Sequence, residues 1–142
     1  MKYKRIILIT KRYVLLLMFS FLVTFAWCES WDDSYDYKIK VDTFAFPIPW
    51  VTHTDTLHVA FWGKIGDDTC SKFARFDISK DSSHADITVW GHKSVLYRVA
   101  CPSGTTYLNG KQYGIYPLKT GAFTVTINEP DGSKIQQQIW IH

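Results

Sequence analysis

No acidic residue precedes Cys28. All 13 Asp and Glu of the 142 residues follow it, while 5 of the 16 Lys and Arg (Lys2, Lys4, Arg5, Lys11, Arg12) come before it. The remainder holds 11 basic and 13 acidic side chains, a net of −2, against +3 for the whole chain. The pI near 8.7 therefore belongs to the leader and is no argument for a polyanionic partner. No basic stripe interleaves with aromatics after Cys28, which excludes nucleic acid as an expected partner. Gly-x-Ser-x-Gly is absent, as is a phosphate-cradling glycine loop. No stretch sustains a 3.6-residue period between caps, so helices are not expected beyond the leader.

What is present begins with that leader. The cations precede a 15-residue apolar run from Tyr13 to Trp27 that ends at Cys28. This order reads as an export signal: cations stay on the cytoplasmic side while the apolar stretch enters the translocation machinery. The run is shorter than the ~20 residues that span a bilayer. Starting it at Ile6 places Lys11 and Arg12 inside it. A cleaved signal is expected over a retained anchor, and two processings fit. Thr24-Phe25-Ala26 offers small residues to a peptidase; alternatively, Cys28 becomes the first mature residue and carries lipid.

The basic start, apolar core and closing Cys28 resemble the leaders of bacterial lipoproteins, with Trp27 where those have a small residue and Phe25 where Leu is usual. The acidic stretch Glu29-Ser30-Trp31-Asp32-Asp33 is similar to one beside the lipidated Cys of some Gram-negative surface-exposed lipoproteins. Read from composition alone, it is a solvated tether. The resemblance implies attachment to an envelope membrane through lipid on Cys28; plain secretion is the alternative. The expected division is a signal peptide or lipoprotein leader over 1–28, an acidic tether over 29–36 and one domain over 37–142.

Three Cys is an odd number. Giving Cys28 to lipid, or losing it with the leader, leaves Cys70 and Cys101, which in an oxidising compartment are expected to pair as a disulfide. After the leader the pattern is short strands with turn punctuation. Strands are predicted over Tyr37–Val41, Leu57–Ile65, Phe73–Ile78, Ala85–Trp90, Val95–Ala100, Gly121–Asn128 and Lys134–His142. Gly66-Asp67-Asp68 and Cys101-Pro102-Ser103-Gly104 read as turns, Gly91 as a stop, and Pro130-Asp131-Gly132-Ser133 as a hairpin turn. About seven short strands predict an all-β fold, a β-sandwich. The Gly121–Ile127 strand, its turn and its closing strand resemble the C-terminal hairpin of immunoglobulin-like modules in secreted bacterial proteins, which implies an immunoglobulin-like sandwich. Cys70 and Cys101 sit at strand edges, unlike the core disulfide of antibody domains.

Few residues offer chemistry. His53, Asp55 and His58 gather two imidazoles and a carboxylate, a donor set that suits zinc. They lie in a loop entering a strand, where the two His point to opposite faces, so exposed polar residues are expected instead. Asp67, Asp68, Asp77 and Asp81 lack the spacing of a calcium loop. No catalytic residue, metal or cofactor is therefore assigned. The aromatics are the stronger lead. Trp62, Trp90 and Trp140 each fall out of phase with the aliphatic positions of their own strand, so they are expected on solvent faces. Outward Trp stacks on sugar rings or anchors a protein partner. Packing of a Trp beneath the Pro47-Ile48-Pro49-Trp50 segment or a loop is the structural alternative. The expected function is an exported envelope module that binds a glycan or protein ligand without catalysis. The alternatives are a small secreted hydrolase, zinc-dependent or not, and a structural module of a surface assembly.

Overall fold

Alternation of apolar and polar residues builds ten strands in the computed structural model, which describes residues 33–95, 100–116 and 118–142. The leader, Cys28 and the tether as far as residue 32 lie outside the described residues. The strands are β1 (Tyr35–Lys38), β2 (Thr43–Ala45), β3 (Leu57–Trp62), β4 (Lys64–Asp68), β5 (Ser71–Lys80), β6 (His84–Lys93), β7 (Ser103–Tyr107), β8 (Lys111–Ile115), β9 (Gly121–Asn128) and β10 (Lys134–Ile141). β1 takes in Tyr35 and Asp36, the last two residues of the stretch expected to be tether.

The larger sheet is centred on β6. β5 runs antiparallel along one edge of β6. β1 and β9 share the other edge: β1 lies antiparallel against Trp90–Lys93, and β9 parallel against His84–Ile87. β10 pairs with β9 over eight consecutive positions. The second layer holds β2-β3-β8 and β4-β7. Gly63 joins β3 to β4, and Leu108–Gly110 joins β7 to β8. The amides of Leu108 and Gly110 donate to the carbonyls of Gly63 and Phe61, each at 3.0 Å, and so carry the pairing across both breaks.

Between the layers lies the core. Ala85, Ile87 and Val89 of β6 and Phe123, Val125 and Ile127 of β9 are fully buried at alternate positions, the period-2 signature of a half-buried strand. They meet Leu57, Val59 and Phe61 of β3 within one buried cluster. Phe76 bridges the layers, with ring centroids 5.0 Å from Phe61 and 5.5 Å from Tyr113. The fold is thus an all-β sandwich. β6 and β9 pair in parallel, whereas the two sheets of an immunoglobulin-like sandwich are antiparallel.

Four local expectations change. The predicted strand over Leu57–Ile65 breaks at Gly63, because a Cβ there would lie 2.4 Å from the Lys40 carbonyl oxygen. Gly66-Asp67-Asp68 is strand rather than turn. The chain reverses at Thr69 and Cys70, where the Asp68 carboxylate accepts from the Cys70 amide at 3.1 Å and the Ser71 hydroxyl at 2.9 Å. This side-chain turn competes with the ladder and ends it. Gly91 does not stop β6. A Cβ there would sit 2.6 Å from the Tyr37 ring, so glycine makes room for Tyr37, whose hydroxyl donates to the Ile65 carbonyl at 2.7 Å. Ser103 and Gly104, expected in a turn, open β7. The strand expected over Val95–Ala100 falls mainly on 96–99, outside the described residues.

The hairpin at Pro130-Asp131-Gly132-Ser133 forms as expected. Gly132 has a φ of 84°, and Asp131 accepts from the Ser133 amide at 2.9 Å. Glu129, at its base, is 2 % exposed. Its carboxylate accepts the Val41 amide at 3.2 Å. Burial pushes its pKa up, against the lowering effect of that hydrogen bond. Cys70 and Cys101 form a disulfide, with Cα atoms 5.5 Å apart and a sequence separation of 31. It ties the β4–β5 turn to the segment entering β7.

Candidate functional site

Strand parity puts Trp90 and Trp140 on the outward face of the larger sheet, opposite the buried Ile87, Val89, Ile139 and Ile141. Trp62 ends β3 in the other layer, so the three do not share one face. Their environments also differ. Trp62 is 39 % exposed, and its ring lies over Gly110, where a Cβ would approach it to 3.3 Å. Trp90 is half-buried. The Arg75 guanidinium lies over its ring at 5.2 Å and the Lys38 ammonium at 6.0 Å, a cation–π arrangement. Its indole N–H is buried without an acceptor among the described residues. Trp140 stands clear at 61 % exposed.

Trp50 is more exposed still, at 73 %. It closes the Pro47-Ile48-Pro49 segment, outside the strands whose parity is read from the sequence, and points to solvent. Val51 and Ile141 form a parallel bridge, and both are buried. The residues before them, Trp50 and Trp140, therefore turn outward on the same side of that bridge. Trp50 stacks on the His142 ring at 4.8 Å between centroids and 19° between planes. The His142 amide donates to the Val51 carbonyl at 3.0 Å, and its carbonyl accepts from the His53 amide at 2.9 Å. These backbone bonds fix the segment that carries Trp50 against the end of β10.

Charge divides the outward face of the larger sheet. Its β1, β5 and β6 portion carries Asp36, Lys38, Lys72, Arg75, Asp77 and Asp86, knitted by Arg75 to Asp36 and Asp77 and by His92 to Asp36 at 2.8 Å. The Arg75 guanidinium, with His92, holds the Asp36 carboxyl below its ordinary pKa. The β9 and β10 portion is uncharged from Trp140 back to Gln136: Ala122, Thr124 and Thr126 face Trp140, Gln138 and Gln136 across the pair. The Gln136 amide donates to the Thr126 hydroxyl at 2.9 Å.

The polar residues considered for catalysis or metal binding have structural partners. Asp55 accepts from the Thr52 hydroxyl at 2.7 Å and the Thr52 amide at 3.1 Å, and these bonds lower its pKa. His58 lies on β3 opposite Gly114, and the loop residues His53 and Asp55 do not join it in a metal-sized cluster among the described residues. Asp67 pairs with Lys64, Asp68 with Lys93 at 2.7 Å, and Asp81 accepts from the Ser83 and His84 amides. The donor group that does come together among the described residues is Asp68, Cys70 and Cys101. Both sulfurs are in the disulfide, which withholds the thiolates that a metal requires.

No family model matches the chain, and neither a curated protein nor a solved structure matches it significantly.

Proposed function

We propose that the chain is an exported binding module, held to the bacterial cell envelope by lipid on Cys28, that recognises a glycan or protein ligand through exposed aromatic side chains and performs no catalysis. The observation that carries this reading is the pair Trp50 and Trp140, the two most exposed Trp of the described residues, on one side of the Val51–Ile141 bridge. Two neighbouring solvent-facing indoles lower solubility and mark a contact surface. Trp is also the side chain most enriched where binding energy concentrates. Trp62 and Trp90, packed on a glycine turn and under two cations, support the scaffold in this reading. The disulfide agrees with export, since such bonds persist in oxidising compartments. The leader supplies the route.

Two measurements test the proposal. Cys28→Ser is expected to move the protein of the native host from the detergent phase to the aqueous phase; unchanged partitioning removes the lipid. The Trp50→Ala/Trp140→Ala double variant is expected to keep its melting temperature and to stop cosedimenting with host envelope material. Equal sedimentation by variant and parent would refute the binding surface.

A further inference from the structure

We infer that the ligand is a neutral polysaccharide lying across the outward positions of β9 and β10, with sugar rings stacked on Trp140 and Trp50. This rests on the binding-module reading above and narrows it to one ligand class. The charge division of the larger sheet selects the class. Next to the two exposed indoles, the outward positions Ala122, Thr124, Gln136 and Gln138 carry no charge, and Thr126 beneath Gln136 is buried, whereas the β1, β5 and β6 portion of the same face is laced with ion pairs. A polyanionic chain needs cations along its track, and this strip has none until Lys134 at the hairpin end.

Hydrogen bonding points the same way. Amide and hydroxyl side chains each donate and accept, as sugar hydroxyls do. Gln138 is exposed and has no partner among the described residues. An apolar protein partner would strip water from these groups and leave them unmatched. A sugar presents an apolar C–H face to an indole and a polar rim to its surroundings. Trp140 and Gln138 are two residues apart on one face of β10, roughly 7 Å along the strand, which places a stacking plane beside an amide. One face of Trp50 is occupied by His142, leaving the other for the ligand. The strip is also rigid, because β9 and β10 pair without interruption over all eight positions.

The test is affinity electrophoresis of the Cys28→Ser protein in native gels cast with neutral polysaccharides (a β-glucan, a xylan, a galactomannan) and with a polyanionic one, alginate. Retarded migration is expected in at least one neutral gel and not in alginate. Trp140→Ala is expected to weaken retention by about thirtyfold in affinity, and Gln138→Ala by several-fold. Trp62→Ala, an exposed Trp off the strip, is expected to change nothing. Retardation in alginate alone, in no gel, or undiminished by Trp140→Ala overturns the inference. If no neutral gel retards the protein while its sedimentation with envelope material still depends on Trp50 and Trp140, the polysaccharide inference falls and the binding module stands. If that sedimentation is lost as well, both fall.

Discussion

Replacing Cys70 and Cys101 together by Ser cuts the covalent tie between the β4–β5 turn and the segment entering β7. The folded partners of that tie are otherwise modest. The Thr69 amide reaches the Pro102 carbonyl at 3.1 Å, the Ser94 amide reaches the Cys70 carbonyl at 3.2 Å, and Asp68 pairs with Lys93. The main loss is therefore in the unfolded chain, which regains the freedom of a loop spanning 31 residues of sequence. The chain-entropy relation puts this at about 4 kcal/mol at 25 °C. Unfolding entropy near 2.1 cal/mol/K per residue, over about 110 residues, converts that into a fall of roughly 17 °C in melting temperature. Far-UV circular dichroism melts of the parent, the reduced parent and the double variant measure it, with thiol titration counting free sulfhydryls beforehand. Reduced parent and variant are expected to melt together, well below the oxidised protein. A fall of less than about 5 °C would refute the loop-entropy reasoning, and titratable Cys70 and Cys101 thiols in the unreduced parent would refute the bond itself.

Three further outcomes follow from local geometry. Trp90→Ala removes a half-buried indole from between Arg75 and Lys38 and is expected to lower stability by about 1–3 kcal/mol, whereas Trp140→Ala is expected to stay within about 0.5 kcal/mol of the parent; equal urea midpoints for the two would contradict their different environments. Gly91→Ala drives a methyl into the Tyr37 ring and is expected to destabilise by about 1–3 kcal/mol, with Tyr37→Ala in the same chain relieving the clash; strictly additive losses would show that the two positions do not touch. Glu129 has a raised pKa in the folded state, so the stability it contributes is fully present below its unfolded pKa and is lost as pH rises through the raised value. Asp36 and Asp68, with lowered values, act in the opposite sense: their contribution is present above the unfolded pKa and lost as pH falls through the folded one. Glu129→Gln is accordingly expected to flatten the decline on the alkaline side of pH 4.5 while leaving the acid limb, and melts from pH 3 to pH 8 that superimpose on the parent would count against a strained carboxylate.

Where a strand buries one face and closes through a local turn, its pattern was legible in the sequence. Gly121–Asn128, the turn at Pro130–Ser133 and the closing strand form as read, because alternation and turn chemistry are both encoded within a few residues. Short strands whose partners are distant were not legible. β2, with three residues, owes its place to β3, and β8 owes its place to the same neighbour. The glycines misled for a related reason. Gly91 reads as a stop and Gly63 as strand interior, yet each marks a close approach by a group 54 or 23 residues away in sequence, the Tyr37 ring and the Lys40 carbonyl. A glycine that accommodates another part of the chain has the same letter as one that turns it.

The aromatic surface divides along the same line between local and distant information. Parity alone carried Trp140 to the outside, since Ile139 and Ile141 flank it on the same strand. It also carried Trp90 to the outer face, but the cations over its ring come from Lys38 and Arg75 on two other strands. An outward position is therefore not an available one: a neighbouring strand with long basic side chains can roof it. Trp50 is the converse. Pro47 and Pro49 supply no amide donor to a ladder, so nothing within the segment fixes its facing. One bridge, from Val51 to Ile141, does so from the other end of the domain. Once that bridge forms, two indoles 90 residues apart turn to the same side, beside the one stretch of the sheet where Gln and Thr replace ion pairs. The binding reading depends on that coincidence of exposure and neutrality, and altering either alone would separate them: a lysine at Gln138 would give the strip a cation without moving an indole, and would be expected to admit alginate where the parent does not.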